Sequence, residues 1–236
     1  MLRVNGLSAY YGLFQALFGI DLYVRPGETV ALIGANGAGK SSLLRAVVGS
    51  IRCGRSQLHL DGKAIGGESE CAQLARGIAL VPEGRKLFPS LSVLENLQVA
   101  ARNGRAGVWT VERVLRELPV LDQLKHRPAT SLSGGQQQLV ALSRALVTNP
   151  AYLLFDEVSL GLSPLAVNDV YALIRQIKNQ GISILLVEQN LHRALAESDR
   201  YYCIQKGRIS LAGISSEADQ DQVTHAYFGV TDDRMD

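Results

Sequence analysis

A glycine-rich segment limits what this chain can fold into more than any other feature of the sequence. The segment Gly34-Ala-Asn-Gly-Ala-Gly-Lys40-Ser41 matches the pattern GxxxxGK[ST]. It follows an apolar run from Thr29 to Ile33 and precedes a helical pattern from Ser41 to Val48. Glycines let the backbone curl so that successive N–H groups point inward, and the positive end of the next helix attracts anions. A loop in this context is typical of nucleoside triphosphate sites.

The residue types in this segment predict how it contacts a ligand. We expect Lys40 to contact the β- and γ-phosphates and Ser41 to bind Mg²⁺ through its hydroxyl. The predicted nucleotide-binding residues are Gly34, Ala35, Asn36, Gly37, Ala38, Gly39, Lys40, Ser41 and Ser42. By itself the loop indicates only a nucleoside triphosphate, because GTPases, kinases and motor ATPases all use it.

Apolar runs alternate with helical patterns through much of the chain. Strands are predicted at Thr29 to Ile33, Gly77 to Val81, Tyr152 to Phe155 and Ile182 to Val187. A helix is predicted to begin at Pro164 and to end at Gly181. This alternation is typical of parallel strands joined by crossover helices, so the core is predicted to be α/β.

Two other regions depart from that alternation. Near the N-terminus the runs Leu2 to Val4, Leu7 to Tyr11 and Phe18 to Val24, with a hairpin at Asp61-Gly62, favour an antiparallel β-lobe. Between Leu91 and Leu132 the pattern is helical alone, with breaks near Gly104 and Pro119, which indicates a helical insertion. We expect a helical subdomain at about 89–149 within one domain of 1–236. The polar stretch after Ser215 is weakly specified.

A second anion-binding helix end is predicted at Leu132-Ser133-Gly134-Gly135-Gln136. The helix that follows has Leu139, Leu142 and Leu146 on one face, and Ser133 is placed to cap it. Taken alone, Ser-Gly-Gly before a helix is a common structural cap. Two phosphate-binding helix ends can serve one nucleotide only if they come from different subunits or fold together, so the sequence favours a dimer.

Two acids, Asp156 and Glu157, end the predicted strand that begins at Tyr152. Acids at the carboxyl end of a strand face the ligand crevice of an α/β sheet. The first acid can hold Mg²⁺ and the second can polarise water. An isolated Asp-Glu pair is more often two solvated carboxylates, but in this chain it follows the phosphate loop and LSGGQ in order.

This ordered set of motifs resembles the ATP-binding-cassette (ABC) family over essentially the whole chain. The resemblance implies a P-loop NTPase (RecA-like) parallel-sheet core with the antiparallel lobe and the helical insertion. It also implies that two cassettes clamp two ATP molecules head to tail. Each site would join one phosphate loop to the partner's LSGGQ, which in this chain is Ser133, Gly134, Gly135 and Gln136 acting in trans. By resemblance, Tyr11 stacks on adenine, Glu157 is the catalytic base, and 159–164 touches the opposite site.

Three positions depart from the general cassette pattern. Glu83 replaces the glutamine that senses magnesium and contacts membrane subunits, Gln189 replaces the switch histidine, and Val158 replaces a proline. The segments VPEGR, SLGLSP, VEQN and AYFG are similar to one ATPase, the LivF type, of branched-chain amino acid importers. Because glutamine cannot carry the positive charge of histidine, we hypothesise an asymmetric dimer in which this chain's site turns over more slowly.

The resemblance implies ATP and Mg²⁺ as ligands and a set of transport partners. These are a second, different ABC ATPase, two membrane permeases and, indirectly, a periplasmic solute-binding protein. With 24 Lys and Arg against 22 Asp and Glu and no run of like charges, no nucleic-acid partner is indicated. The longest apolar runs are far below the roughly 20 residues that span a bilayer, and no secretory signal is visible. A cytoplasmic protein, peripheral on the inner face of the plasma membrane, is expected.

Other functions remain open from the sequence. An ATPase for urea or amide uptake, or for lipopolysaccharide export, has a similar cassette. A non-transport cassette protein that moves nucleic acid is a further alternative, although the long insertions typical of that class do not fit in 236 residues. The cassette does not touch the solute, so the solute is implied by the resemblance alone.

Overall fold

The computed structural model describes residues 1–228, and two β-sheets with flanking helices account for most of them. The strands are β1 (Leu2–Tyr11), β2 (Phe14–Val24), β3 (Thr29–Ile33), β4 (Leu58–Leu60), β5 (Lys63–Ala64), β6 (Ile78–Val81), β7 (Tyr152–Asp156), β8 (Ser183–Glu188), β9 (Arg200–Gln205) and β10 (Arg208–Ile214). The helices are α1 (Lys40–Val47), α2 (Glu70–Ala75), α3 (Val93–Arg102), α4 (Val111–Glu117), α5 (Pro119–Gln123), α6 (Gly134–Leu146), α7 (Pro164–Asn179), α8 (Leu191–Ala196) and α9 (Gln220–Phe228).

The larger sheet has the strand order β10-β9-β3-β8-β7-β6, and the pairs from β9 to β6 are parallel. Every residue of β3, β7 and β8 is buried, which is typical of parallel strands covered on both faces. Ile33 pairs with Glu188, and Asp156 pairs with Val187. The carboxyl ends of these three strands therefore meet at one edge. The predicted α/β core is confirmed.

The smaller sheet has the order β2-β1-β4-β5, and all its pairs are antiparallel. The predicted β-lobe and the hairpin turn at Asp61-Gly62 are both present, with φ of 49° and 80°. The two short strands predicted within residues 2–11 are in fact one strand, β1. Its pairing shifts register between Val4 and Leu7, and Gly6 there has a φ of 53°. A bulge of this kind interrupts the alternation of side chains without ending the strand.

Four helices, α3 to α6, lie between β6 and β7. The last of them, α6, begins at the predicted second anion-binding helix end. Side-chain caps begin three of them, with Ser92 and Ser133 in capping boxes and Thr110 accepting from the N–H of Arg113. The expected break at Pro119 is the first residue of α5, a position that proline favours. α6 packs against both α3 and α7 through its apolar face.

The C-terminal part is more regular than the sequence suggested. β9 and β10 extend the core sheet, and after Ser215 the helix α9 packs on β9 with Val223 fully buried. One buried side chain among polar neighbours leaves little periodicity, which is why the sequence does not predict this helix. Gly229, the last residue of the AYFG segment, lies outside the described residues. Within residues 1–228, no helix combines the length and the apolar character needed to cross a membrane.

Candidate nucleotide-binding and catalytic site

Four neighbouring strands bring the predicted site residues to one edge of the core sheet. β3 leads into Gly34, β8 into Gln189, β7 into Glu157, and β6 leads through Pro82 into Glu83. These residues are far apart in the sequence, but their strands are adjacent in the order β3-β8-β7-β6. The carboxyl edge of a parallel sheet is where α/β proteins bind ligands.

At two positions of the phosphate loop, neighbouring strands lie so close to the backbone that a side chain would not fit. A Cβ at Gly34 would lie 2.3 Å from the carbonyl oxygen of Ile204, so only glycine fits between β3 and β9. Gly39 precedes α1 with a φ of 112°, and a Cβ there would lie 2.9 Å from Leu17. Glycine therefore permits both the turn into α1 and its approach to β2.

The side chain of Lys40 lies over its own loop and is only 4% exposed. Its Nζ donates hydrogen bonds to the carbonyl oxygens of Gly34 at 2.7 Å and Ala35 at 3.1 Å. The same ammonium lies 3.5 Å from Oε1 of Glu157. These contacts hold a buried cation at the centre of the loop, at the position where a triphosphate needs charge compensation.

Ser41 and Asp156 form a hydrogen-bonded pair beside this lysine. The Ser41 hydroxyl donates to Oδ1 of Asp156 at 2.9 Å, and the carboxylate is 4% exposed. Burial raises the pKa of Asp156, the hydrogen bond from Ser41 opposes that rise, and the nearby charges of Glu157 and Glu83 add to it. A buried carboxylate of this kind gains a cation readily.

Glu157 is held by two groups at the carboxyl end of β8. Its backbone is in the left-handed region with a φ of 53°, and its N–H donates to the carbonyl oxygen of Val187 at 3.2 Å. Oε2 accepts a 2.5 Å hydrogen bond from the side-chain amide of Gln189. A non-glycine residue with positive φ is uncommon, and such residues concentrate at functional sites. Val158, which follows, is 1% exposed and packs in the hydrophobic core.

An open cavity of about 640 Å³ lies in front of these groups. The predicted site residues that line it are Tyr11, Asn36, Gly37, Gly39, Lys40, Ser41, Ser42, Glu83, Glu157 and Gln189. Gly34, Ala35, Ala38 and Asp156 lie behind this lining, and Asp156 is reached through Ser41. The Tyr11 hydroxyl is 3.3 Å from Oγ of Ser42, which places the ring beside the start of α1.

The LSGGQ residues form a separate feature at the start of α6. The N–H of Gln136 donates to the Ser133 hydroxyl at 3.3 Å, and the N–H of Ser133 donates to Oε1 of Gln136 at 3.0 Å. The predicted cap is therefore confirmed. Ser133, Gly134, Gly135 and Gln136 do not line the cavity of their own chain. A nucleotide bound in that cavity is therefore not contacted by the LSGGQ residues of the same chain.

The sequence did not indicate several residues of the cavity wall. Lys206 and Gly207 form the turn between β9 and β10, and the N–H of Gly207 donates to the carbonyl oxygen of Ala38 at 2.8 Å. Phe14, Phe18 and Leu160 line the cavity as well. A Lys-Gly pair between two apolar runs is a turn signal that could have located the hairpin. Its contact with the phosphate loop depends on tertiary structure alone.

The donor set suits magnesium bound together with a triphosphate. Among the described residues, no group of three or more His, Cys, Asp or Glu side chains could hold a metal by itself. Mg²⁺ usually keeps several waters and takes one or two protein oxygens plus substrate phosphates. The hydroxyl of Ser41 and the carboxylate of Asp156 are 2.9 Å apart beside the phosphate loop and match that requirement.

Comparisons with known proteins agree with this geometry. The family described as ABC transporter matches residues 17–159. The chain is 38% identical over 232 residues to the high-affinity branched-chain amino acid transport ATP-binding protein BraG of Pseudomonas aeruginosa, covering 97% of this chain and 100% of that protein. It is 33% identical to the probable branched-chain amino acid transport ATP-binding protein LivF of Archaeoglobus fulgidus, covering 92% and 93%.

A solved structure has the same architecture. The ADP conformation of MJ1267, an ATP-binding cassette of an ABC transporter, aligns with a TM-score of 0.84 at 27% identity. The alignment covers 98% of this chain and 99% of that one. The β-lobe, the parallel core and the helical insertion therefore all lie within one known type of fold.

Proposed function

This chain belongs to the ABC transporter family as an ATPase subunit, and from that premise we propose that its ATP hydrolysis drives the import of branched-chain or related amino acids. The observation that carries the proposal is the meeting of Lys40, Ser41, Asp156 and Glu157 at one edge of the sheet. The solute class rests on the relatives described as branched-chain amino acid transport proteins.

We propose that the phosphate loop and Lys40 hold the triphosphate. The Lys40 ammonium exchanges its loop carbonyls for phosphate oxygens, which carry full negative charge and attract it more strongly. Ser41 and Asp156 hold Mg²⁺, which, when bound, neutralises charge on the β- and γ-phosphates. Tyr11 packs against the adenine, and Glu83 is close enough to influence the charge at Asp156.

We assign the hydrolytic step to Glu157 with the help of Gln189. The Glu157 carboxylate accepts a hydrogen bond from the attacking water and aligns it with the γ-phosphate. The amide of Gln189 holds that carboxylate at 2.5 Å and stays neutral at every pH. Because an imidazolium would add positive charge opposite the developing phosphate charge, this site turns over more slowly than one with histidine.

We propose that a second cassette completes the site. Ser133 to Gln136 do not line the cavity of their own chain, and in the proposed dimer the N-terminus of α6 contacts the nucleotide of the partner. Because Gln189 is neutral, we expect the site on this chain to turn over slowly. A different ATPase as the partner would supply a second, faster site that sets the rate of ATP hydrolysis by the dimer. The helical subdomain at about 89–149 is the part that carries LSGGQ.

We further propose that the permeases contact a groove between α2, α3 and α6. The groove has a volume of about 650 Å³ and includes Pro82, Arg85 and Lys86 from the loop that follows β6. Because Glu83 lies in the same loop and lines the nucleotide cavity, a helix seated in the groove moves the loop that reaches the nucleotide. The chain then works at the inner membrane surface, together with a periplasmic solute-binding protein.

The test is ATP-dependent uptake by proteoliposomes that contain the chain, its partner ATPase and both permeases. With the solute-binding protein present, radiolabelled leucine enters and urea does not. Lys40→Ala removes the buried ammonium from the phosphate loop and lowers ATP-dependent uptake by about tenfold or more. Lys125→Ala is the matched control, because Lys125 pairs with Asp122 on the surface and does not line the cavity.

Two results contradict the proposal. Leucine uptake that survives Lys40→Ala at the level of the Lys125→Ala control excludes this site as the energy source. Urea uptake in place of leucine uptake refutes the solute class and leaves the ATPase assignment standing.

Faster turnover of Gln189→His supports the slow-site hypothesis, and unchanged turnover contradicts it.

A further inference from the structure

A buried carboxylate, Glu188, lies directly behind the catalytic edge of the sheet. It ends β8, is 1% exposed, and has no basic side chain within ion-pair distance among the described residues. Hydrogen bonds to its two carboxylate oxygens take the place of an ion pair. Oε1 accepts from the Tyr171 hydroxyl, and Oε2 accepts from the backbone N–H groups of Gln189 at 3.1 Å and Asn190 at 3.4 Å.

These bonds hold the two residues that begin the loop after β8. Gln189 is one of them, and its side-chain amide donates at 2.5 Å to Oε2 of Glu157. A continuous chain of hydrogen bonds therefore runs from Tyr171 through Glu188 and Gln189 to Glu157. Since a side-chain amide can reach its partner only from a defined backbone position, fixing the N–H of Gln189 also fixes where its amide points.

Tyr171 is held firmly on α7. Its ring is 2% exposed, and the guanidinium of Arg193 lies 5.3 Å from the ring centroid. Burial, and then the charge of Glu188, raise the pKa of the Tyr171 hydroxyl, so it remains a proton donor. Without that donor, Oε1 of Glu188 is a buried acceptor with no partner, which is costly enough to displace the carboxylate.

The same helix contacts the LSGGQ segment at its first turn. Ala166 of α7 lies so close to Gly135 that a Cβ on Gly135 would be 2.7 Å from the Ala166 Cβ. Tyr171 lies five residues further along α7. One rigid helix thus touches both the start of α6 and the carboxylate behind Gln189.

We propose that the Tyr171–Glu188 hydrogen bond is a positioning element of the hydrolytic site, orienting Gln189 and through it Glu157, and tying both to the helix that packs on LSGGQ. The inference rests on the proposed ATPase function. Neither Tyr171 nor Glu188 touches the nucleotide, since neither lines the cavity. Their effect on hydrolysis must pass through Gln189.

The test is a double-mutant cycle on steady-state ATP hydrolysis by the assembled transporter, in which the partner ATPase has lost its own phosphate-loop lysine so that only this chain's site turns over. Tyr171→Phe removes only the hydroxyl, and we expect kcat to fall by about tenfold because a small displacement of a catalytic group is costly. KM for ATP stays within about twofold, since the phosphate loop is untouched. In a Gln189→Ala background, Tyr171→Phe has no further effect, because the group it positions is gone.

A merely structural role of Tyr171 gives a different result. Loss of folded protein would lower activity by the same factor in both backgrounds. The matched control is Tyr202→Phe, which removes another buried hydroxyl, one that accepts from Arg200 at 2.6 Å on β9. We expect that control to leave kcat and KM within about twofold of wild type. Glu188→Gln should reproduce the kcat loss of Tyr171→Phe.

The outcomes separate this inference from the proposed function. Equal losses from Tyr171→Phe with and without Gln189, or a raised KM with kcat unchanged, overturn the positioning role. Activity that Glu157→Gln leaves intact overturns the assignment of the hydrolytic residue itself. If Glu188→Gln does not fold, the double-mutant cycle with Tyr171→Phe still tests the positioning role, because this variant keeps the aromatic ring and its packing.

Discussion

At the scale of single residues, the site is a set of charges stabilised by one another until a nucleotide arrives. Lys40 lies on two loop carbonyls and near Glu157, Ser41 donates to Asp156, and Gln189 donates to Glu157. The contacts of Lys40 and Ser41 use groups that a triphosphate and its Mg²⁺ also need, so under the proposed function binding exchanges these internal hydrogen bonds for bonds to the ligand. The Gln189 amide keeps its bond to Glu157 and holds that carboxylate in place for the attacking water.

Asp156→Asn should stabilise the nucleotide-free protein at neutral pH. Burial raises the pKa of Asp156 in the folded state, so its favourable contribution is present below the unfolded pKa and is lost as the pH rises through the folded value. Asparagine does not ionise, so this loss of stability does not occur, and its side-chain oxygen can still accept the hydrogen bond from the Ser41 hydroxyl. We expect a higher Tm than wild type at pH 7, and a difference that shrinks toward the unfolded Asp pKa of about 3.9.

The same variant should lose its response to magnesium and ATP. A ligand at a hundred times its Kd stabilises a protein by about 2.7 kcal/mol, and wild type should gain on that order while Asp156→Asn gains much less. Differential scanning calorimetry with and without Mg²⁺ and ATP measures both effects. If Asp156→Asn is less stable than wild type at pH 7, burial of the Asp156 carboxylate does not destabilise the nucleotide-free protein.

Site residues next to strand ends could be predicted from the sequence, whereas residues joined only by tertiary structure could not. Asp156 and Glu157 follow an apolar run, and Lys40 lies in a loop with a known pattern. Glu188 also ends an apolar run, but its partner Tyr171 is on another element, and nothing in local spacing links them. The positive φ of Glu157 is likewise set by its neighbours rather than by its type.

At the scale of elements, α6 and α7 are the pair on which the two halves of the site depend. α6 begins at LSGGQ with the capping box of Ser133 and Gln136, and α7 begins at Pro164, the last residue of segment 159–164, with Ser163 as its cap. Their first turns meet at Gly135 and Ala166. A change at that contact should alter the angle at which LSGGQ is presented.

Gly135→Ala should destabilise the protein, although alanine favours helices. Replacing a helical glycine by alanine gains at most about 1 kcal/mol, whereas overpacking a tight contact costs about 1–3 kcal/mol. The new Cβ would lie 2.7 Å from that of Ala166, so the cost dominates. Urea unfolding measures the difference in free energy of unfolding.

Gly134→Ala is the matched control for this contact. A Cβ there meets only the flexible end of Arg85, at 3.2 Å, and the guanidinium can move aside. We expect Gly134→Ala to be neutral or stabilising. Equal destabilisation by both variants would show that the contact between α6 and α7 is not the reason why alanine at position 135 lowers stability.

Elements with strong periodicity were predictable, and those with mixed patterns were not. α7 was predicted from its apolar spacing and from Pro164, and it extends to Asn179, two residues short of the expected stop at Gly181. β10 alternates between exposed and half-buried residues, and α9 buries Val223 alone among its residues. Such weak patterns do not determine an element without the sheet against which it packs.

At the scale of the whole molecule, the phosphate loop and the LSGGQ segment of one chain lie at separate places. The cavity is lined by the phosphate loop and Glu157 but not by LSGGQ, so under the proposed function a complete site needs two chains. The sequence favoured a dimer because two phosphate-binding helix ends serve one nucleotide only if they come from different subunits or fold together. The hydrogen-bonded chain from α7 to Glu157 adds a physical link between the LSGGQ segment and the cavity.

The function proposed for this chain depends on a cavity that binds ATP through Lys40 and hydrolyses it with Glu157. Both steps are visible in the nucleotide recovered from the assembled transporter, with wild-type chain or Glu157→Gln beside a partner ATPase that lacks its own phosphate-loop lysine, after incubation with radiolabelled ATP and Mg²⁺ and an acid quench. We expect ADP from wild type, intact ATP held by Glu157→Gln, and no bound nucleotide with Lys40→Ala. Conversion to ADP by Glu157→Gln at the wild-type rate would show that another group hydrolyses ATP.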